Sequence, residues 1–353
     1  MVPTLFGILL INFAILQFAP GGPVEQIISR INNPHAQQSA GRISGGGGET
    51  KGGVSSAARS SYRGSRGLEP ALILALNKKF GFDKPAHERF LVMLKNYALF
   101  DFGTSFYSDK TVITLIAERM PVSMSLGIPS TLLIFCIAIP LGIKKAVGAG
   151  GGFDIASSSF VIVGYAIPAF LFALMLIILF AGGSFWKVFP LSGLVSDSYA
   201  GLPLVGRMLD RAWHLVLPVT ALSIGGFAIL TIFTKNAFLE ELGKPYVTTA
   251  RGKGITENTV LYRHVFTNAL IIVIAGLPSM LFTMFFTGSL FIEIIFSLNG
   301  LGLLGYEAVL RRDYPVILGT LFIFTLVRLV LNLATDLMYA WLDPRINFES
   351  QGG

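Results

Sequence analysis

Between Val122 and Ile143 the chain carries no Asp, Glu, Lys or Arg. A helix needs about twenty apolar residues to cross a bilayer core of about 30 Å, and inside that core its backbone groups must satisfy one another. Five further stretches meet or approach the same standard: Val2–Ala19, Ile155–Ala181, His214–Phe233, Leu270–Ile292 and Val316–Trp341. The pattern predicts an all-α polytopic membrane protein with six transmembrane helices. Composition agrees, since the 353 residues are 53% hydrophobic and only 13% charged. The net charge of +7 is scattered through loops with no aromatic-interleaved basic patch, so it points to membrane orientation rather than nucleic acid.

Residues 1–20 are expected to form the first transmembrane helix. A cleaved signal peptide is the alternative, but no basic region precedes the apolar run and no small-x-small cleavage site follows it. Residues 21–121 read as an external loop region. Within it, 36–69 form a Gly/Ser/Arg-rich insert that cannot bury a core and is expected to be flexible. Leu72–Phe80 and His87–Tyr97 have amphipathic helical patterns, and Phe100–Phe106 reads as an ordered turn. Residues 122–341 hold the remaining five spans, and 342–353 form a tail. Pro168 falls inside the third span, where a freed carbonyl requires a neighbouring helix or a cavity.

One polar, basic segment, residues 236–264, separates the fourth and fifth spans. Pro245 suits the first turn of a helix. Gly252 and Gly254 are expected to end that helix, and Thr256 to cap a second one beginning at Glu257. The small residues Thr248, Thr249, Ala250, Gly252 and Gly254 would let another protein approach closely, with Tyr246 and Leu261 offering an apolar grip. Lys144, Lys145, Lys235, Lys244, Arg251, Lys253, Arg263 and Arg345 fall on one side of the spans, which places this elbow and both termini in the cytoplasm. Arg207, Arg211, Arg311 and Arg312 fall on the other side, where Asp210 and Asp313 lie beside them and long loops escape the rule.

Chemistry-bearing patterns are sparse. The single cysteine, Cys136, excludes an intrachain disulfide, and the four histidines show no zinc-ligand spacing. Neither a phosphate-binding G-x-x-x-x-G-K-[ST] loop nor a G-x-S-x-G nucleophile elbow occurs. Arg328 lies in the middle of the sixth span. Asp336 follows on a similar face, about 12 Å further along at 1.5 Å per residue, too far for a direct pair. Arg328 reads equally as a buried partner of a neighbouring carbonyl or as a charge lining a path. Glu293 ends the fifth span and is expected at the interface.

The elbow reads Tyr246-Val247-Thr248-Thr249-Ala250-Arg251-Gly252-Lys253-Gly254-Ile255, followed by Arg263-His264-Val265-Phe266-Thr267-Asn268-Ala269-Leu270. It resembles the cytoplasmic coupling loop of ABC-importer permeases, specifically their dipeptide/oligopeptide branch. Thr248-Thr249 stand where that branch has Glu-Ala, and Gly252 where it has alanine. The resemblance extends through Asp101, Gly103 and Ser105, through Asn299–Gly302, Arg312–Val316 and Asp336, and to Asp343-Pro344-Arg345. Phe80–Phe90, Val163–Ala173, Phe180–Phe185 and Phe285–Leu290 are similar to the Yej-type subgroup. The resemblance implies a type I importer permease of a bacterial inner membrane that forms half of a translocation path. The implied partners are a second, related permease subunit in a heterodimer, two ATP-binding domains, a periplasmic binding protein and an oligopeptide cargo, including peptide-like antibiotics. ATP and magnesium would belong to the partners, with no cofactor on this chain and no hydrolysis by it. The residues it assigns to ATPase coupling are Tyr246, Thr249, Ala250, Arg251, Gly252, Lys253, Gly254, Leu261, Arg263 and His264. Pro168, Glu293 and Arg328 are candidates for the path. The rival readings are an ion-coupled secondary transporter, which calls for inverted repeats and acidic pairs within spans, and a membrane enzyme, for which no nucleophile–base spacing is present.

Deleting Ala40–Gly64 is expected to leave assembly intact, because that segment has little apolar surface to pack. Recovery of the intact transport complex after purification of the deletion variant is the check.

Overall fold

A computed structural model describes residues 2–18, 84–182, 185–269 and 290–342. The insert at 36–69, the helix expected over 72–80, most of the fifth span and the tail lie outside these residues. The chain divides into two compact units: Met1–Thr114 with Glu307–Phe322, and Leu115–Tyr306 with Ile323–Gly353.

The helices in chain order are α1 (Val2–Phe18), α2 (Ala86–Ala98), α3 (Val112–Val147), α4 (Gly152–Ala166), α5 (Ala169–Phe180) and α6 (Leu204–Leu242). After these come α7 (Pro245–Gly252), α8 (Glu257–Thr259), a π-helical turn over Val260–Val265, α9 (Leu290–Ile295), α10 (Leu301–Arg311) and α11 (Tyr314–Leu342). Among the described residues, α3, α6 and the stretch Tyr314–Leu337 of α11 are long and apolar enough to cross a membrane. α3 and α6 outrun the apolar stretches that predicted them at both ends. Residues such as Ala117-Glu118-Arg119 and Leu239-Glu240-Glu241 are good helix formers and carry the helix past the apolar run.

The third expected span is a bent pair. α4 and α5 meet at 98° around Ile167-Pro168, and the two count as one further crossing if they form a single span. Proline has no N–H to give and its ring clashes with the residue before it. Ile167 accordingly takes an extended conformation, φ −83° and ψ 117°, which ends α4 outright. The proline therefore breaks the helix where the sequence reading expected it to be tolerated.

In the first unit, aromatic side chains hold α1 to α2, with the Phe90 ring 5.2 Å from Phe13 and 5.8 Å from Phe6. Tyr97, Phe102 and Phe322 form a second cluster, with centroids 4.8 to 5.4 Å apart. Gly319 permits it, since a β carbon there would come within 2.8 Å of Val112 Cγ1. The turn expected over Phe100–Phe106 is present, with Gly103 at φ +74° and its N–H donating to Asp101 Oδ1. The turn is fixed by buried Asp313, whose carboxylate accepts the Ser105 hydroxyl and the Phe106 N–H. Asp313 thus holds this turn in place.

In the second unit, Leu126 of α3, Ala173 and Leu176 of α5, Leu217 and Ala221 of α6, and Ile292 and Phe296 around α9 bury one another. Small residues let the helices close up: a β carbon at Gly142 of α3 would lie 2.9 Å from the Thr231 carbonyl of α6. Glu293 is 0% exposed, enclosed by the protein itself. Its carboxylate caps α10, accepting the Leu303 N–H at 2.7 Å and the Gly302 N–H at 3.4 Å. The Ser123 hydroxyl of α3 lies 3.4 Å from the same carboxylate and accepts the Leu301 N–H at 2.9 Å. Burial sets this arrangement, because the first N–H groups of a helix have no partner within it and need an acceptor. Gly300 must stay a glycine here, since any β carbon would overlap the Glu293 carboxylate.

Glu293→Ala is expected to cost about 2–4 kcal/mol, since each donor orphaned in a buried site loses about 1–3 kcal/mol. Thermal unfolding of the purified protein in detergent should show the lowered midpoint.

Candidate functional site: the elbow and its anchors

α7 begins as the sequence predicts, with Lys244 extended at the cap and Pro245 in the first turn. Its underside is apolar. Val247 and Ala250 are buried against Ile143 and Ala146 of α3, Ala237 and Phe238 of α6, and Val260, Val265 and Ala269 beyond the turn. Thr248, Thr249, Arg251, Gly252, Lys253 and Gly254 face outward. The exposed side is therefore small, polar and basic.

The two glycines do different work. Gly254 takes the left-handed conformation, φ +76°, while Gly252 is the last residue of α7 and has no positive φ. Only Gly254 makes the break expected of both. Its N–H reaches the Arg251 carbonyl at 2.9 Å, and the Ile255 N–H reaches Ala250 at 3.3 Å. Thr256 precedes α8 without capping it, its hydroxyl pairing with that of Thr259 at 2.9 Å. The chain then widens into the π turn over Val260–Val265, an irregularity that the sequence reading did not anticipate. Arg251 grips Glu257 with two bonds of 2.8 and 3.1 Å. Both side chains are exposed, so the pair shapes the surface and adds little stability.

Tyr246 and Leu261 are not the outward apolar grip expected of them. Leu261 packs onto the buried cluster, and Tyr246 is half-buried with its hydroxyl donating to Glu241 Oε2 at 2.7 Å. Glu241 ends α6, is buried, and also accepts the Lys244 ammonium. Asn268 Nδ2 donates to the Tyr246 oxygen at 3.2 Å. Burial raises the Tyr246 phenol above its ordinary range, and the bond to Glu241 raises the Lys244 ammonium. Beyond the turn, Arg263 is exposed and His264 half-buried.

A second cluster lies where α3, α4 and α6 meet. Lys145, read from sequence as an orientation charge, is 1% exposed. Its ammonium donates to the Asp154 carbonyl at 3.0 Å, to Ser157 Oγ at 2.9 Å and to Ser158 Oγ at 2.6 Å. Lys235 of α6 reaches both Asp154 carboxylate oxygens at 2.7 Å. Asp154 thus draws two lysines from two other helices, whereas Lys144 lies over the Phe153 ring at 4.4 Å. Sequence held a signal for this cluster: an acid beside an apolar run, with lysines close by, has to be answered by a cation.

The path candidates lie on different elements from the elbow and from one another. Pro168 is exposed at the α4–α5 break, Glu293 is the buried cap of α10, and Arg328 is exposed on α11. Among the described residues no group of three or more His, Cys, Asp or Glu side chains could hold a metal.

With this geometry in view, residues 138–348 match the family of binding-protein-dependent transport system inner membrane components. The chain belongs to that family. It is 53% identical over 357 residues to the inner membrane ABC transporter permease protein YejB of Escherichia coli O157:H7, covering 99% of this chain and 97% of the relative. It is also 53% identical over 352 residues to the peptidoglycan transport system permease protein YejB of Agrobacterium fabrum, covering 99% and 96%. In fold it is similar to a structure of the MetNI methionine ABC transporter in inward-facing conformations. The TM-score is 0.50 at 16% identity, over 65% of this chain and 97% of that one. This likeness shows the type I importer-permease fold.

The two glycines can be told apart by substitution. Gly252→Ala is expected to be neutral or to stabilise by about 0.5–1 kcal/mol, because alanine is the better helix residue. Gly254→Ala should cost about 1–2 kcal/mol from left-handed strain alone. Paired thermal melts in detergent are the measurement.

Proposed function

We propose that this chain is one of two permease subunits of an ABC importer for peptides, that it forms half of the translocation path, and that its elbow docks onto an ATP-binding subunit. Family membership supports the importer role, and the sequence resemblance to the dipeptide/oligopeptide branch supports the cargo class. One of the relatives described above is named for peptidoglycan transport.

The observation that carries the docking reading is the two-sidedness of the elbow. Its outward residues Thr248, Thr249, Arg251, Gly252 and Lys253 are short or basic, so a partner surface can come close to the backbone. Its underside, Val247 and Ala250, is seated on the ends of α3 and α6. A push on the outer side is passed to membrane helices through that seat, because packed side chains deform little. Closure of the ATP-binding subunits would thereby alternate the path between inward- and outward-facing states. Hydrolysis, and the ATP and magnesium it uses, belong to the partner subunits. A second, related permease subunit and a periplasmic binding protein complete the assembly, with the elbow and both termini in the cytoplasm. Arg328 and Pro168, both exposed, are the residues we assign to the path; Glu293 serves to hold α10. Family membership speaks against the ion-coupled alternative.

The test begins with purification. An ATP-binding subunit with its own phosphate-binding loop is expected to come down with the tagged chain, and a chain that purifies alone from its native membrane would refute the reading. Gly254→Val extends the test. A β carbon at Gly254 meets nothing within 4 Å, so the cost of the valine is left-handed strain confined to the elbow, and membrane insertion should be normal. The side chain stands in the docking surface, so retention of the ATP-binding subunit and ATP-driven peptide uptake should both fall sharply.

A further inference from the structure

We propose that the Tyr246 hydroxyl, held by Glu241, is the positioning element that carries movement of the elbow into α6 and into the helical residues Phe266–Ala269. The inference rests on the importer reading above and deepens it, by adding one directional contact to the apolar seat of Val247 and Ala250.

The underside of α7 makes two kinds of contact. The apolar kind, through Val247 and Ala250, keeps α7 close to its neighbours but does not fix its register, because burial is non-directional. The polar kind is directional, since a hydrogen bond weakens steeply once its angle or length departs from the optimum. On the exposed side Arg251 of α7 bonds Glu257 of α8, whereas the bonds that α7 makes to α6 and to the helical residues beyond the π turn converge, among the described residues, on the Tyr246 oxygen. That oxygen donates its one proton to Glu241 Oε2 at 2.7 Å and accepts from Asn268 Nδ2 at 3.2 Å. Glu241 belongs to the last turn of α6, and Asn268 to the helical residues beyond the π turn. The end of α6, the start of α7 and the helical residues Phe266–Ala269 therefore meet at one phenol.

Glu241 is built for this position. It is 4% exposed, and a buried carboxylate without partners is costly, so its two oxygens must stay answered. One accepts Lys244 and the other accepts Tyr246, both within five residues of Glu241 in the chain. If α7 shifts, the carboxylate can follow or lose a bond, and following means that α6 moves. The adjoining π turn marks where the chain can accommodate such a shift, because π turns are irregularities inserted in otherwise regular helices.

The experiment uses the full complex in proteoliposomes, with a carbon-14-labelled tryptic digest of casein as the peptide probe. Peptide accumulated per ATP hydrolysed is the readout. Tyr246→Phe keeps the ring and its packing and removes only the hydroxyl. It is expected to lower the ratio about tenfold, on the scale of one hydrogen bond to a charged acceptor. Glu241→Gln removes the charge and one of the two acceptor oxygens, so its ratio should also fall, by about threefold. Adding Glu241→Gln to Tyr246→Phe should cost nothing more, because the shared bond is already gone. A Tyr246→Phe ratio equal to wild type overturns the proposal. So does a ratio that falls only in step with lost ATP-binding subunits, since that is the signature of a structural role. If the wild-type chain retains no ATP-binding subunit and accumulates nothing, the importer reading itself fails and takes the proposal with it. A working wild type beside an unaffected Tyr246→Phe sinks the proposal alone.

Discussion

A carboxylate removed from water must be met by cations or hydrogen-bond donors, or it destabilises the fold. Asp154, Glu241, Glu293 and Asp313 are all buried, and each is met at a place where a helix begins or ends. Asp154 stands in the first turn of α4 and draws Lys145 of α3 and Lys235 of α6 to it. Glu241 closes α6 and holds the start of α7. Glu293 caps α10, and Asp313, just ahead of α11, fixes the Ser105 turn. Apolar packing between long helices tolerates sliding, so these four acids supply the registry that packing leaves open.

The same feature explains what sequence could and could not reveal. Long apolar runs named α3, α6 and α11 because the bilayer imposes length and hydropathy residue by residue. The start of α7 at Pro245 and the break at Gly254 were legible for a similar reason, since proline and glycine act through their own backbone. The partners of buried acids carry no such local mark. Lys235 lies 81 residues from Asp154, Ser123 lies 170 from Glu293, and Ser105 lies 208 from Asp313. Lys145 and Lys235 therefore read as orientation charges, although both serve Asp154. Positive-inside counting registers only which side of the membrane a lysine occupies, not whether it is buried.

Within the elbow, sequence identified the element and misjudged one of its faces. A helix of eight residues leaves few positions to divide between inside and outside. Tyr246 has an apolar ring, which favours either a partner's groove or the chain's own core, and its hydroxyl decides the matter by finding Glu241. Thr256 was a sound candidate for a cap by residue type. Its hydroxyl turns to Thr259 instead, beside the π turn that sequence periodicity cannot show. Pro168 gave the opposite surprise. A proline in an apolar stretch can sit within a continuous span, yet here it separates two helices at 98°.

The length of α6 has a mechanical consequence. Its 39 residues extend for about 58 Å at 1.5 Å per residue, nearly twice the bilayer's apolar thickness of about 30 Å. A rod of that length has to project beyond the hydrocarbon or lean steeply within it. Glu241 and Lys235 lie toward one end and the Asp210–Ser196 contact lies toward the other. Pivoting near its middle by about 5°, such a rod swings each tip by roughly 2.5 Å, close to the length of a hydrogen bond. A rearrangement too small to repack the helix along its length is thus enough to make or break a polar contact at the opposite end.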